Sequence, residues 1–153
     1  MSISDLIAVR RATKSDLQAC LALYAQLRPN DPAIEVDKIE HLWHEVVDGP
    51  HSMLAVAEHS GHVAATCMLS SIANLASGGR RIGIIEHVIT DTRFRQLGLA
   101  RLVLEFALAE AWRQNCCKVM LLSGAQRTAA HALYESVGFR ADTERGYVAK
   151  PAH

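Results

Sequence analysis

Charge of one sign is what this sequence most plainly lacks: 16 lysine and arginine residues are balanced by 16 aspartate and glutamate residues. A chain without a basic excess is a poor partner for nucleic acid or an anionic membrane surface, both recognised through positive charge. Net charge near zero also removes one defence against self-association, which favours a homodimer. Long apolar runs are missing as well. None approaches the roughly 18 residues of a membrane span. The N-terminal stretch MSISDLIAVRRATKSD has no basic region leading into an apolar core, so it does not read as a signal peptide. These absences predict a cytoplasmic chain with no membrane partner. Cysteine is sparse and unpatterned: Cys20, Cys67, Cys116 and Cys117 show no CxxC spacing and lie inside apolar segments, where cysteine acts as a small buried hydrophobe. Repeats, low-complexity tracts and linkers are absent too.

What is present is enough for one folded domain over residues 1–153, since half of the residues are apolar and only 21% are charged. Residues 7–11 read as a short opening strand. Ser15 or Asp16 can cap a helix with Leu17, Cys20, Leu21, Tyr24 and Leu27 on its apolar face, and the prolines of residues 28–32 end it. Residues 35–47 form a second helix, stopped by Asp48-Gly49-Pro50. Residues 53–58 and 62–72 form a hairpin around Ser60-Gly61, and Ser77-Gly78-Gly79 turns the chain into a strand at 82–90. A helix over 97–114, a buried strand at 118–122 and a helix over 128–137 closed by Gly138 follow. Residues 139–142 and 146–149 are expected to pair as a final hairpin.

The most informative stretch is residues 82–100, IGIIEHVITDTRFRQLGLA. It reads as strand, short polar loop and helix, with Gly98 and Ala100 at the mouth of the helix. The first backbone N–H groups of a helix lack internal partners and carry the positive end of its dipole, so this junction suits an anion. A residue without a Cβ lets a diphosphate approach the backbone. The expected ligand is a phosphate-bearing cofactor. It is not a dinucleotide of the Rossmann type, since no G-x-G-x-x-G occurs, nor a Walker A nucleotide, since no Gly-Lys-Ser/Thr occurs.

Taken in order, IEHVITDTRFRQLGLA and the later AHALYESVGF resemble the GNAT superfamily of N-acetyltransferases over residues 7–148. The resemblance implies an α/β fold of the acyl-CoA N-acyltransferase type: a mixed, twisted sheet with helices on both faces. It implies that the strands at 82–90 and 118–122 are parallel and splay apart. Acetyl-CoA is the co-substrate it implies, with Val88, Ile89 and Thr90 offering backbone groups to the pantetheine arm. Arg95, Gln96, Leu97, Gly98, Leu99, Ala100 and Arg101 would wrap the pyrophosphate. Many members carry asparagine seven residues before the tyrosine of the last helix. Here that position is Arg127, which either reaches a cofactor phosphate or is simply exposed.

Acetyl transfer to an amine requires loss of the amine's proton and departure of a thiolate, preferably protonated. Tyr134 matches the family's general acid. For the base, Glu86 is the first choice, acting directly or through a water, because a carboxylate among Ile84, Ile85, Val88 and Ile89 is costly without a role or a partner. His87 is the second, with the better intrinsic pKa. Strand alternation puts the two on opposite faces unless the strand bulges. His131, three residues before Tyr134, reads as a helix-surface or capping residue. His41 and His44 are spaced to share a metal but have no evident third ligand, so no metal is assigned. Cys116 and Cys117 read as core rather than as an acyl carrier.

The segments 85–104 and 115–122 particularly resemble the glucosamine-6-phosphate N-acetyltransferase branch, which is dimeric. The acceptor this implies is a small-molecule amine such as an amino sugar phosphate. Two other readings compete. One is an acyl-CoA-binding sensor of the same fold without turnover, against which Tyr134 argues. The other is an interaction protein without cofactor, for which the Arg95–Ala100 pattern would have to be accidental.

Overall fold

A computed structural model describes Ser2 and residues 6–152. Part of the N-terminal stretch tested above for a targeting signal, Met1 and residues 3–5, therefore lies outside the described residues. The chain forms two compact units, residues 1–121 and residues 122–153.

The first unit holds strands β1 (Ile7–Arg11), β2 (Ser52–His59), β3 (His62–Ile72), β4 (Arg81–Thr90) and β5 (Cys116–Met120), with helices α1 (Leu17–Leu27), α2 (Val36–Asp48) and α3 (Leu99–Arg113). The sheet runs β1-β2-β3-β4-β5. Its first three pairings are antiparallel and the last, β4 with β5, is parallel. Short connections join β2 to β3 and β3 to β4, while α1 and α2 lie between β1 and β2; the parallel step needs a crossover, and α3 supplies it. This is the mixed α/β sheet expected from the sequence.

Adjacent residues of β3 show how both faces are covered. The Cys67 thiol lies 3.4 Å from the Val103 carbonyl oxygen of α3. Its neighbour Met68 packs against a cluster of Cys20, Trp43, Val47, Leu54 and Val56 beneath α1 and α2. Successive strand side chains point to opposite faces, so α3 and the α1–α2 pair lie on opposite sides. Val103, Leu104, Ala107 and Ala111 give α3 a fully buried stripe at helical spacing. The α2 helix ends where Gly49 passes the Glu45 carbonyl, and a Cβ at Gly49 would stand 2.2 Å from that oxygen.

The start of α1 is fixed by charge. Asp16 is buried and accepts from the Thr13 backbone N–H at 2.7 Å. It also takes two bonds from Arg10, at 2.7 and 3.0 Å, and Arg10 reaches Glu58 of β2 at 2.6 Å. The Arg10 guanidinium holds the Asp16 carboxyl below the ordinary range, against the opposing effect of burial. A buried carboxylate that caps a turn and neutralises a guanidinium leaves both groups stranded when removed.

The second unit contains α4 (Thr128–Ser136), followed by Gly138 at φ +104°. The expected hairpin after it does not form: residues 139–152 contain no strand. Arg140 bonds Asp142 at 2.7 and 3.0 Å, a local closure in place of a strand. Tyr147 and Val148, the side chains a strand would bury, are 85% and 65% exposed.

Asp16→Ala is expected to lower the unfolding free energy by about 2–3 kcal/mol, the sum of a lost cap and lost charge-assisted bonds. Urea unfolding at pH 7 measures it, and a change within experimental error would show that Arg10 finds solvent as good a partner.

Candidate active site

The β4 strand is the axis of the site. Its pairing with β5 runs from Arg81↔Cys116 to Ile84↔Met120 and then stops. On the other edge, pairing with β3 continues to Thr90↔Ala65. From Ile85 to Thr90 the edge of β4 turned toward β5 thus has no ladder partner, and backbone N–H and C=O groups there are left for another ligand. The ladder ends at Ile84↔Met120, where β5 itself ends, beside the stretch for which the family resemblance implied a splay.

Within the same stretch the strand bulges. Met68 pairs with Glu86 and Thr66 with Ile89, so β4 carries one residue more than β3 across this interval. The extra residue is accommodated at His87, whose φ is +54°. A left-handed conformation costs an L-residue about 1–2 kcal/mol, and histidine is among the side chains that adopt it most readily. The bulge breaks strand alternation. Glu86 lies opposite Met68, on the α1–α2 side, and the His87 ring stands 5.3 Å from that of Tyr24 on α1. Both candidate bases thus reach the same side. Glu86 is exposed and His87 half-buried.

Beside them, the end of α1 contributes Arg28, which is hydrogen-bonded to Asp31. The Asp31 carboxylate raises the Arg28 pKa, and the nearby charge of Glu86 adds to the effect. Conversely, Arg28 lowers the Asp31 carboxyl, helped slightly by His87. Burial pushes the Tyr24 phenol up. Two carboxylates, a guanidinium, an imidazole and a phenol thus share one corner of the sheet.

Past Thr90 the chain is held by Asp91. Its carboxylate is buried and accepts from the Arg93 backbone N–H at 2.9 Å and from the Arg93 guanidinium at 2.9 and 3.1 Å. Gln26 of α1 accepts from the Thr92 N–H at 3.1 Å. These bonds close a single helical turn over Thr92–Phe94 and aim the next residues. Arg95 is extended, Gln96 and Gly98 have φ of +64° and +77°, and α3 starts at Leu99. The first bond of the helix runs from the Leu102 N–H to the Gly98 carbonyl, leaving the N–H groups of Leu99, Ala100 and Arg101 directed out of the helix end.

The residues here fit a diphosphate. A Cβ built on Gly98 would meet no atom within 4 Å, so the space before the helix end is open. Arg95, Gln96 and Leu97 are exposed, whereas Leu99 is buried and anchors the turn. The three arginines differ. Arg93 is committed to Asp91 and Arg101 to Glu105 at 2.9 Å, while Arg95 has no ion-pair partner among the described residues.

In the second unit, Tyr134 is buried on α4, edge-to-face with Phe139 at a centroid distance of 6.2 Å. Arg127 is the exposed residue preceding α4, and its carbonyl accepts from the His131 N–H at 3.1 Å. The His131 ring lies 2.9 Å from the carbonyl of Gly124 in the loop before α4. Of the His41–His44 pair, His44 is engaged with Asp48 at 2.9 Å.

Sequence reasoning missed Asp91, Gln26 and Tyr24. An aspartate two residues before an arginine at a strand end is the signature of a side chain folding back on the backbone, and could have been read. Tyr24 fits the apolar face of α1, and nothing local marks its contact with His87.

A mixed sheet with one parallel pair among the described residues, its ladder ending beside a glycine-capped helix, matches the acyl-CoA N-acyltransferase fold. The comparisons with known proteins agree. The model of the acetyltransferase (GNAT) family matches residues 17–139, and the chain belongs to that family. It is an enzyme of the acyltransferase class. A glucosamine 6-phosphate N-acetyltransferase of Trypanosoma brucei brucei is 26% identical over 137 residues, covering 88% of this chain and 90% of that one. The structure of an Agrobacterium tumefaciens protein assigned to the acetyltransferases superposes with a TM-score of 0.84 at 33% identity, covering 94% and 99% of the two chains. An aminoglycoside N-acetyltransferase solved in complex with CoA shares the fold at a TM-score of 0.79 and 19% identity, covering 95% of this chain and 94% of that one.

Arg93 holds the Asp91 carboxyl at about 2, below the ordinary 3.8. A depressed carboxylate stabilises the fold fully above the unfolded value, and the contribution is lost as pH falls toward 2. Asp91→Asn should therefore cost about 1–2 kcal/mol at pH 7, discounted for the exposure of Arg93, with the difference closing between pH 4 and about 2. Denaturant titrations across that range check it; a deficit independent of pH would assign the loss to shape rather than charge.

Proposed function

We propose that this chain is an acetyl-CoA-dependent N-acetyltransferase that moves an acetyl group to a primary amine by direct attack in a ternary complex, with residues 1–153 acting as one domain. The observation that carries the reading is the end of β4–β5 pairing at Ile84↔Met120, which leaves the Ile85–Thr90 edge without a strand partner. Acetyl-CoA supplies the acetyl group as a thioester. Backbone groups of Val88, Ile89 and Thr90 bind the pantetheine arm along that edge. The loop of Gln96, Leu97, Gly98, Leu99 and Ala100 holds the pyrophosphate on the N–H groups that open α3, and Arg95 adds a free guanidinium fork. Arg101 joins by exchanging its bond to Glu105, and Arg127 contributes from the start of α4.

Glu86 accepts the proton of the acceptor ammonium on its carboxylate, directly or through one water, and His87 is the second choice for that role. The Tyr134 hydroxyl gives its proton to the departing sulfur. A phenol of ordinary pKa near 10 is matched to a thiolate of similar basicity. The acceptor is a small amine. The names of the relatives, a glucosamine 6-phosphate and an aminoglycoside N-acetyltransferase, support an amino sugar, and the first supports a phosphorylated one. A homodimer in the cytoplasm completes the proposal, in keeping with the balanced charge.

Acetyl-CoA at about 100 times its dissociation constant should add about 2.7 kcal/mol to stability. That gain should vanish in the Arg95→Ala, Gly98→Glu variant. Tyr134→Phe should lower kcat for amine acetylation, followed by thiol release, by about 10²-fold with little change in the acetyl-CoA affinity. No thermal shift at millimolar acetyl-CoA would remove the proposal; a shift with no turnover on any amine would convert it into an acyl-CoA sensor.

A further inference from the structure

At the opposite end of β4 from Thr90, some 30 Å away at strand rise, a cavity of about 370 Å³ is lined by Arg11, His51, Arg81, Glu110, Arg113 and Gln114. Each lining side chain comes from the end of a rigid element. Arg11 closes β1, Arg81 opens β4, Arg113 closes α3, and His51 precedes β2.

Charge is unbalanced there. Elsewhere in the chain Arg28, Arg93, Arg101 and Arg140 each have a carboxylate of their own, and Arg10 has two. In the cavity, Arg11 and Arg113 share Glu110, while Arg81 bonds Ser71 and no carboxylate among the described residues. Glu110 already accepts four hydrogen bonds. Its Oε1 accepts from Arg11 at 3.3 Å, Arg113 at 2.5 Å and Gln114 at 2.9 Å, and its Oε2 accepts from Arg113 at 2.9 Å. A carboxylate offers about four lone-pair sites; Oε1 carries three of these bonds and Oε2 one, so Glu110 is largely committed to its present neighbours.

The guanidinium groups are not saturated. Arg81 spends Nε and one terminal nitrogen on Ser71, both at 2.8 Å, and Ser71 in turn donates to Gln114 at 3.1 Å. Each guanidinium has five N–H donors in a fixed fork, and all three keep donors beyond these bonds. Three clustered cations with spare donors, one largely committed carboxylate and a histidine define a receptor for an anion with several oxygens and more than one charge. The volume lies at the small end of the range for ligand cavities of about 300–1,000 Å³.

We propose that this cavity is a second anion site, distinct from the acyl-CoA loop, that binds the phosphoryl or pyrophosphoryl group of a small phosphorylated molecule. Arg81 is held in place by Ser71 and forms its fixed wall. Arg11 and Arg113, both more exposed, close over the ligand with their unused donors.

The probe is inorganic pyrophosphate, titrated calorimetrically at low ionic strength, where screening is weak. With the acyl-CoA loop filled by saturating coenzyme A, the natural protein should bind it at a single site. The Arg11→Gln, Arg113→Gln variant should weaken that binding by about tenfold or more, as expected for lost charged hydrogen bonds. Arg95→Gln, in the acyl-CoA loop, should leave it unchanged. If the double variant does not melt cooperatively, the exposed single change Arg11→Gln decides in its place, with a smaller loss in the same direction. Weakening by Arg95→Gln and not by the Arg11 and Arg113 changes would overturn the proposal by placing pyrophosphate at the cofactor loop. Absence of saturable heat, or equal affinity in every variant, would overturn it as well.

Discussion

Backbone hydrogen bonding in β4 governs most of what this protein can do. A strand inside a sheet satisfies its polar groups on both edges, and β4 does so only over Ile82–Ile84. Beyond Ile84 it is bonded to β3 alone, because β5 ends its pairing at Met120. An edge of this kind is ordinarily a hazard, since it invites pairing with another chain. Here it lies beside a helix whose first N–H groups are likewise without internal partners. Two sets of donors and acceptors, one from a strand and one from a helix end, converge on one region of the first unit.

Strain and charge arrange the rest of that region. His87 at φ +54° holds a bulge that brings it and Glu86 to the side of α1, where Tyr24 and the Arg28–Asp31 pair wait. Asp91 binds three donors of Arg93 and so fixes the turn that leads to Gly98. Left-handed residues recur along the path, at His87, Gln96 and Gly98, and conformations of this cost persist where surrounding bonds over-determine them. The local order of strand, anchored turn and glycine-capped helix is thus built from a few strong bonds rather than from a large apolar surface.

Much of this was legible in the sequence, where the signals are local. The run of apolar residues to Ile89, the polar turn and Gly98 before an amphipathic stretch mark a strand, loop and helix within twenty residues, and the structure has them there. The bulge at His87 was not legible, because it depends on how β4 pairs with β3, a matter of register between distant segments. The convergence of Arg11, Arg81 and Arg113 was hidden for the same reason. The expected last hairpin failed differently: within residues 139–149 Arg140 and Asp142 satisfy each other within three residues, and no partner ladder forms among the described residues.

Amide hydrogen exchange with and without acetyl-CoA tests the central claim most directly, because it reads the backbone groups themselves. The account predicts slowed exchange at amides of residues 85–90 and at Leu99, Ala100 and Arg101 when acetyl-CoA is added, with β2 and β3 unchanged. Slowing elsewhere in the chain, with those amides exchanging as before, would contradict it.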